Sequence, residues 1–176
     1  MKNPLVGIIM GSDSDLPVMK DAVKVLEGLG VSSDVRIISA HRTPQALVTY
    51  VTEASESGVK VFIAGAGMAA ALPGAVAAHT SAPVIGVPLS SSSSAAGGMD
   101  AILSIVQMPP GVPVATVGLN SAKNAGLLAA QILALGDAEV AAKVHAYKEK
   151  LGVDALAKDK KVQEKGYTKY LEEQGA

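Results

Sequence analysis

The chain has no cysteine and no tryptophan, and only one phenylalanine and four tyrosines among its 176 residues. The missing thiol excludes disulfide staples, thiolate catalysis and cysteine-ligated metal, and is neutral on compartment. Aromatics make up 3% of a chain that is 49% hydrophobic, so the core must be built from Ala, Val, Leu and Ile, with 18 glycines permitting close approach. An excess of one charge is missing too. Fifteen Lys and Arg face 16 Asp and Glu, a net charge of −1, without the basic footprint of a nucleic-acid or anionic-membrane binder. A small-molecule partner is expected instead. The start, Met1-Lys2-Asn3-Pro4 and then a short apolar strand, lacks the longer apolar run and small-residue cleavage site of a secretory signal, so a cytoplasmic protein is expected.

The length suits one domain with a full core, expected over residues 1–150, followed by a helical extension over 151–176. High apolar content at near-zero net charge implies that copies of the chain cover apolar surface on one another, and a homo-oligomer is expected. Leu5 to Met10 is an apolar run of the kind that forms a strand buried on both faces. Similar runs occur at Val35 to Ile38, Val59 to Ala64, Pro83 to Val87 and Val114 to Val117. Between them, apolar residues recur with helical spacing from Leu16 to Leu29, from Leu47 to Gly58, from the end of a small-residue loop to about His79, and from Met99 to Val106. A further helix reaches Leu135, with Asn120 as its expected cap, and an amphipathic tail runs from Asp137 to Leu171. Five strands separated by helices predict an α/β fold with a parallel sheet covered on both faces, and ligands in such folds bind beyond the carboxyl ends of the strands.

Three unusual stretches open at that edge. In Ser39-Ala40-His41-Arg42-Thr43-Pro44, Thr43 and Pro44 suit the cap and first residue of a helix, and His41 and Arg42 sit on the turn before them. A histidine exchanges protons near neutral pH, and an arginine grips phosphate or carboxylate with a planar fork. The same pair also reads as an ordinary capped turn. In Gly11-Ser12-Asp13-Ser14-Asp15, Ser12 and Ser14 offer hydroxyls and Asp15 a carboxylate suited to a vicinal diol, and capping of the next helix accounts for these residues equally. In Gly65-Ala66-Gly67-Met68-Ala69-Ala70-Ala71, the glycines let backbone N–H groups approach a ligand. Ser90 to Gly98 has the composition of a flexible linker and receives no role.

These motifs, together with Pro83-Val-Ile-Gly-Val-Pro88, Ser104-Ile-Val-Gln-Met-Pro109 and the stretch from Asn124 to Leu133, resemble the class I N5-carboxyaminoimidazole ribonucleotide mutase family over about Leu5 to Leu135. The resemblance implies a flavodoxin-like three-layer α/β/α sandwich with strand order 2-1-3-4-5, an octamer, and no metal or organic cofactor. It implies an enzyme that moves the carboxylate of N5-carboxyaminoimidazole ribonucleotide to ring carbon 4 in purine biosynthesis. His41 then becomes the general acid and base. Ser12, Ser14, Asp15, Ser39, Ala40, Arg42, Gly65, Ala66, Gly67, Met68, Ala71 and Leu72 become substrate-binding, with Asp15 on the ribose and Arg42 on the phosphate.

Two departures stand out, Met68 where the family has glycine and Ala71 where it has histidine. Ala71 is expected to keep its backbone N–H at the mouth of the following helix. Three rival readings remain: direct carboxylation of aminoimidazole ribonucleotide, a flavin-binding carrier on the same sheet, and a non-catalytic paralogue.

Overall fold

The computed structural model describes residues 3–90, 92 and 94–174. Five parallel strands form one sheet in the order β2-β1-β3-β4-β5: β1 (Val6–Met10), β2 (Ser33–Ile37), β3 (Val61–Gly67), β4 (Val84–Leu89) and β5 (Ala115–Thr116). The helices are α1 (Leu16–Gly28), α2 (Pro44–Glu56), α3 (Leu72–Ala77), α4 (Met99–Val106), α5 (Ala122–Ala134), α6 (Ala138–Lys165) and α7 (Tyr167–Glu173). This is the expected three-layer sandwich with a helical carboxyl end. None of its described helices is long and apolar enough to cross a membrane.

Alternation along β1 divides the core. Val6, Ile8 and Met10 pack with Met19, Leu26, Ala125 and Ala129 on the α1/α5 side. Ile9 packs with Leu47, Val51, Phe62, Val76 and Ile105 on the other. The scarcity of large side chains shows in how closely backbones meet. A Cβ on Gly7 would come within 2.7 Å of the Phe62 ring, so the chain's single phenylalanine lies directly over β1. A Cβ on Gly126 would come within 2.9 Å of the Ala22 carbonyl oxygen, so α5 lies almost backbone to backbone on α1.

Several expected boundaries move. β2 begins at Ser33 and, as an edge strand, is half exposed, with Ile37 51% accessible. β3 does not stop at Ala64, because Gly65, Ala66 and Gly67 pair with Val87, Pro88 and Leu89 and continue the ladder. The expected loop therefore shrinks to Met68–Ala71. Asn120 is not the cap of α5. Ser121 holds that position, and Asn120 takes a left-handed conformation with φ 56° and bonds elsewhere. The helix after β3 ends at Ala77, short of His79. α6 runs unbroken through residue 151, where the extension was expected to begin.

Candidate active site

At the carboxyl ends of the strands, the loops after β1, β2, β3 and β4 surround a cavity of about 490 Å³, within the range of small-molecule sites. Its walls include Ser12, Ser14 and Asp15 from the first loop, and Ser39, Ala40, His41 and Arg42 from the second. The end of β3 and the residues after it supply Ala66, Gly67, Met68, Ala71 and Leu72. Of the residues that the resemblance implies are catalytic or substrate-binding, Gly65 alone is absent from this wall. It is buried in β3, and a Cβ there would collide with the Met19 sulfur, so its lack of a side chain serves the packing of α1.

Each loop is held by its own polar side chains. Ser12 caps a short 3-10 turn over Asp13–Asp15, accepting a hydrogen bond from the Ser14 N–H at 3.3 Å, while Asp15 accepts one from the Ser12 N–H at 3.1 Å. The capping reading of this loop holds, and the capping residues also face the cavity. In the second loop the Thr43 hydroxyl donates to the Ser39 carbonyl at 3.0 Å and accepts from the Ser39 N–H at 3.1 Å. Thr43 thus stands at the cap position of α2 but closes its own turn instead of bonding the helix end. The Ser39 hydroxyl accepts from the Arg42 N–H at 3.2 Å. Arg42 then spans the two loops, its Nη2 donating to the Gly11 carbonyl at 2.7 Å.

Burial pushes the Asp15 carboxyl above its usual range. The backbone N–H groups of Ser12 and Gly11 pull it down less strongly, Asp13 adds to the rise, and the Arg42 charge opposes it. A carboxyl raised by folding contributes stability when protonated, and loses that contribution as pH rises through its folded value. Asp15→Asn keeps an acceptor for Ser12 without the half-buried charge. Its thermal midpoint at pH 7 is expected to equal or exceed the parent's, with the difference shrinking towards pH 4. A lower midpoint at pH 7 would contradict this account.

In the third loop Met68 adopts φ 53°, a left-handed conformation that costs an ordinary side chain about 1–2 kcal/mol, and its side chain stands 53% exposed at the cavity. Ala71 differs from expectation. Its N–H donates to the Ala69 carbonyl at 2.8 Å, because two tight turns precede α3, so that group is engaged within the loop. His79 is at the opposite end of the sheet, in a recess with Thr52 and Ser55, and His145 faces Glu149 on exposed α6 at 3.6 Å. His41 is the histidine at the cavity.

Sequence reasoning missed Gly11, Val18, Ala69, Leu89 and Ser90. The strand-end rule that drew attention to the first three loops applies equally to Leu89 and Ser90 at the end of β4, but their place at the head of a serine-rich stretch disguised it. Among the described residues no group of three His, Asp or Glu side chains could hold a metal ion.

The model of the AIR carboxylase family matches residues 5–153. The N5-carboxyaminoimidazole ribonucleotide mutase of Thermotoga maritima is 54% identical over 168 residues, covering 96% of this chain and 97% of that one. The mutase of Pyrococcus abyssi is 56% identical over 169 residues, 96% of each chain. Among solved structures, Treponema denticola PurE superposes with a TM-score of 0.81 at 34% identity, covering 90% of this chain and 98% of that one. With a match that runs from β1 into α6 and takes in every loop of the cavity, the chain belongs to the AIR carboxylase family.

Proposed function

We propose that the protein is a 5-(carboxyamino)imidazole ribonucleotide mutase, which transfers the carboxylate of N5-carboxyaminoimidazole ribonucleotide to ring carbon 4 and gives 4-carboxy-5-aminoimidazole ribonucleotide for purine biosynthesis. The observation that carries this reading is the meeting of His41, Arg42, Asp15 and Ser12 in one cavity of nucleotide size, in a chain sharing more than half its residues with named mutases. The His41 imidazolium gives its proton to the exocyclic nitrogen, the nitrogen–carboxyl bond breaks, and carbon dioxide leaves. Carbon 4 then attacks the confined carbon dioxide, and the neutral imidazole takes the carbon 4 proton, which restores the aromatic ring and the starting imidazolium. One base serves both ends. Confinement supplies the second advantage, since carbon dioxide held against carbon 4 reacts as an intramolecular partner.

Arg42 serves the phosphate and Asp15 the ribose hydroxyls in this reading. The Gly11 carbonyl uses one of the five N–H donors of Arg42 and so orients the rest of the fork. Arg42→Ala is expected to weaken substrate binding by about 1.5–3 kcal/mol, the range for a charge-assisted hydrogen bond. Calorimetry on the folded variant checks this, and unchanged affinity would remove Arg42 from the site.

Labelled N5-carboxyaminoimidazole ribonucleotide tests the function itself. Label recovered on carbon 4 supports the mutase. Turnover only when aminoimidazole ribonucleotide and carbon dioxide are supplied together would favour direct carboxylation, the chemistry in the family's name. A flavin carrier is disfavoured because no Tyr or Phe lines the cavity to sandwich a ring.

A small nucleotide substrate fits a cytoplasmic enzyme, and the surface fits a homo-oligomer. Met99, Leu103 and Val106 form an exposed apolar stripe on α4, and Leu151, Val153, Leu156, Tyr167 and Leu171 stand exposed on the tail. Faces of this kind match the octamer implied by resemblance, with the tail as its covering element. Light scattering is expected to report a multimer, and a stable monomer at low concentration would overturn this assignment.

A further inference from the structure

Ser90 closes the cavity on the β4 side, with β1 and β3 lying between it and the loop that carries His41. Its partner is Asn120, thirty residues on, which makes three hydrogen bonds to this short stretch of chain. The Asn120 N–H donates to the Pro88 carbonyl at 2.8 Å, its Oδ1 accepts from the Ser90 N–H at 3.0 Å, and its Nδ2 donates to the Ser90 hydroxyl oxygen at 2.8 Å. The amide cannot be turned the other way, because the Ser90 N–H is only a donor and must face Oδ1. Asparagine also tolerates the left-handed φ of 56° at this position better than most residues. Leu119 adds rigidity, since a Cβ on neighbouring Gly98 would meet its methyls at 2.7 Å and the Ser90 Cβ at 3.0 Å.

The direction of these bonds has a chemical consequence. An amide nitrogen gives a hydrogen and accepts none, so the Ser90 oxygen is the acceptor and its hydroxyl hydrogen remains to be given. Among the described residues nothing in the protein takes it. On the functional reading above, Arg42 holds the phosphate and Asp15 the ribose, which leaves the heterocycle with its carboxylate between His41 and the wall of the same cavity that β3 and β4 supply.

We propose that the Ser90 hydroxyl donates a hydrogen bond to the carboxylate of the bound nucleotide, and that Asn120 is the positioning residue that aims it. The proposal rests on the functional reading and adds a contact which that reading does not require.

The test compares Ser90→Ala, Asn120→Asp and the double variant for binding of 4-carboxy-5-aminoimidazole ribonucleotide and of aminoimidazole ribonucleotide, which lacks the carboxylate. Aspartate tolerates the same backbone conformation and still accepts from the Ser90 N–H, but it offers an acceptor where Asn offered a donor, so the Ser90 hydroxyl turns to it and away from the cavity. Each single variant is expected to bind the carboxylated nucleotide roughly tenfold more weakly, the size of one hydrogen bond to a charged group. Affinity for the uncarboxylated nucleotide should stay unchanged, and the double variant should be no worse than either single one. Equal losses for both nucleotides would reduce the pair to a structural clamp and overturn the proposal. So would unchanged affinity for the carboxylated nucleotide in Ser90→Ala, whatever the fate of the Asn120 variant. A parent that binds neither nucleotide overturns the functional reading and the proposal together, whereas a parent that binds both while Ser90→Ala binds both as tightly as the parent does overturns the proposal only.

Discussion

His41→Asn is expected to bind the nucleotide and fail to turn it over. Asparagine approximates the imidazole in size and keeps hydrogen-bonding capacity, so the exposed turn on which His41 sits has no reason to change. The bonds that hold that turn run from Ser39 to Arg42 and Thr43, not through the imidazole. What disappears is the exchangeable proton. Positioned proton transfer is worth about 10²–10⁴-fold, and in the proposed mechanism one group delivers a proton and later removes another, so both halves of the reaction suffer. No other histidine is at hand, since His79 sits at the far end of the sheet and His145 on α6. Binding titration and single-turnover kinetics separate the two effects. Parental turnover in His41→Asn would end the mechanism. Ala71→His, which restores the family residue, is expected to change rate or affinity only modestly, and recovery of an otherwise inactive parent by that change would show that the departure at Ala71 had disabled it.

Gly126→Val is expected to be among the most destabilising single changes in the protein. A Cβ at residue 126 would approach the Val25 Cγ1 within 2.5 Å, the Ala22 carbonyl oxygen within 2.9 Å and the Ala22 Cα within 3.1 Å. Backbone atoms cannot rotate aside as a side-chain tip can. Relief therefore requires α1 and α5 to separate, which loosens the contacts of Ala22, Ala125 and Ala129 beneath them. Overpacking typically costs about 1–3 kcal/mol, and a clash with backbone belongs at the upper end. At that end the thermal midpoint should fall by roughly 6–12 °C for a domain of this length. A midpoint within about 2 °C of the parent's would show that the helix pair adjusts freely.

The sheet and its order of helices were legible because parallel strands buried on both faces read as short apolar runs, and amphipathic helices carry their own period. The edges were less so. Gly65-Ala66-Gly67 has the composition of a loop, yet it is strand, because pairing with β4 decides its conformation and Gly67 leaves room for the Leu89 carbonyl 2.9 Å from where its Cβ would be. Asn120 has the chemistry of a helix cap and stands near a helix start, but a partner thirty residues away claims its side chain. Local sequence reports local bonds, and these bonds are long-range. That His41, Arg42 and Asp15 meet at one cavity was legible for the opposite reason, since each lies in the loop that follows a strand, where the topology leaves few places to go.

The bond from Arg42 to the Gly11 carbonyl bears on how quickly a ligand can be received. Loops that must find each other after an encounter add a slow rearrangement to association, and every encounter that ends before that step is wasted. Here two of the loops around the cavity are tied by a bond within the protein itself, and the ordering entropy of that tie is spent when the chain folds. A ligand arriving at the cavity meets a mouth whose width is set in advance. That favours fast capture of a ligand with the right span, and leaves little give with which to admit one that is longer or shorter.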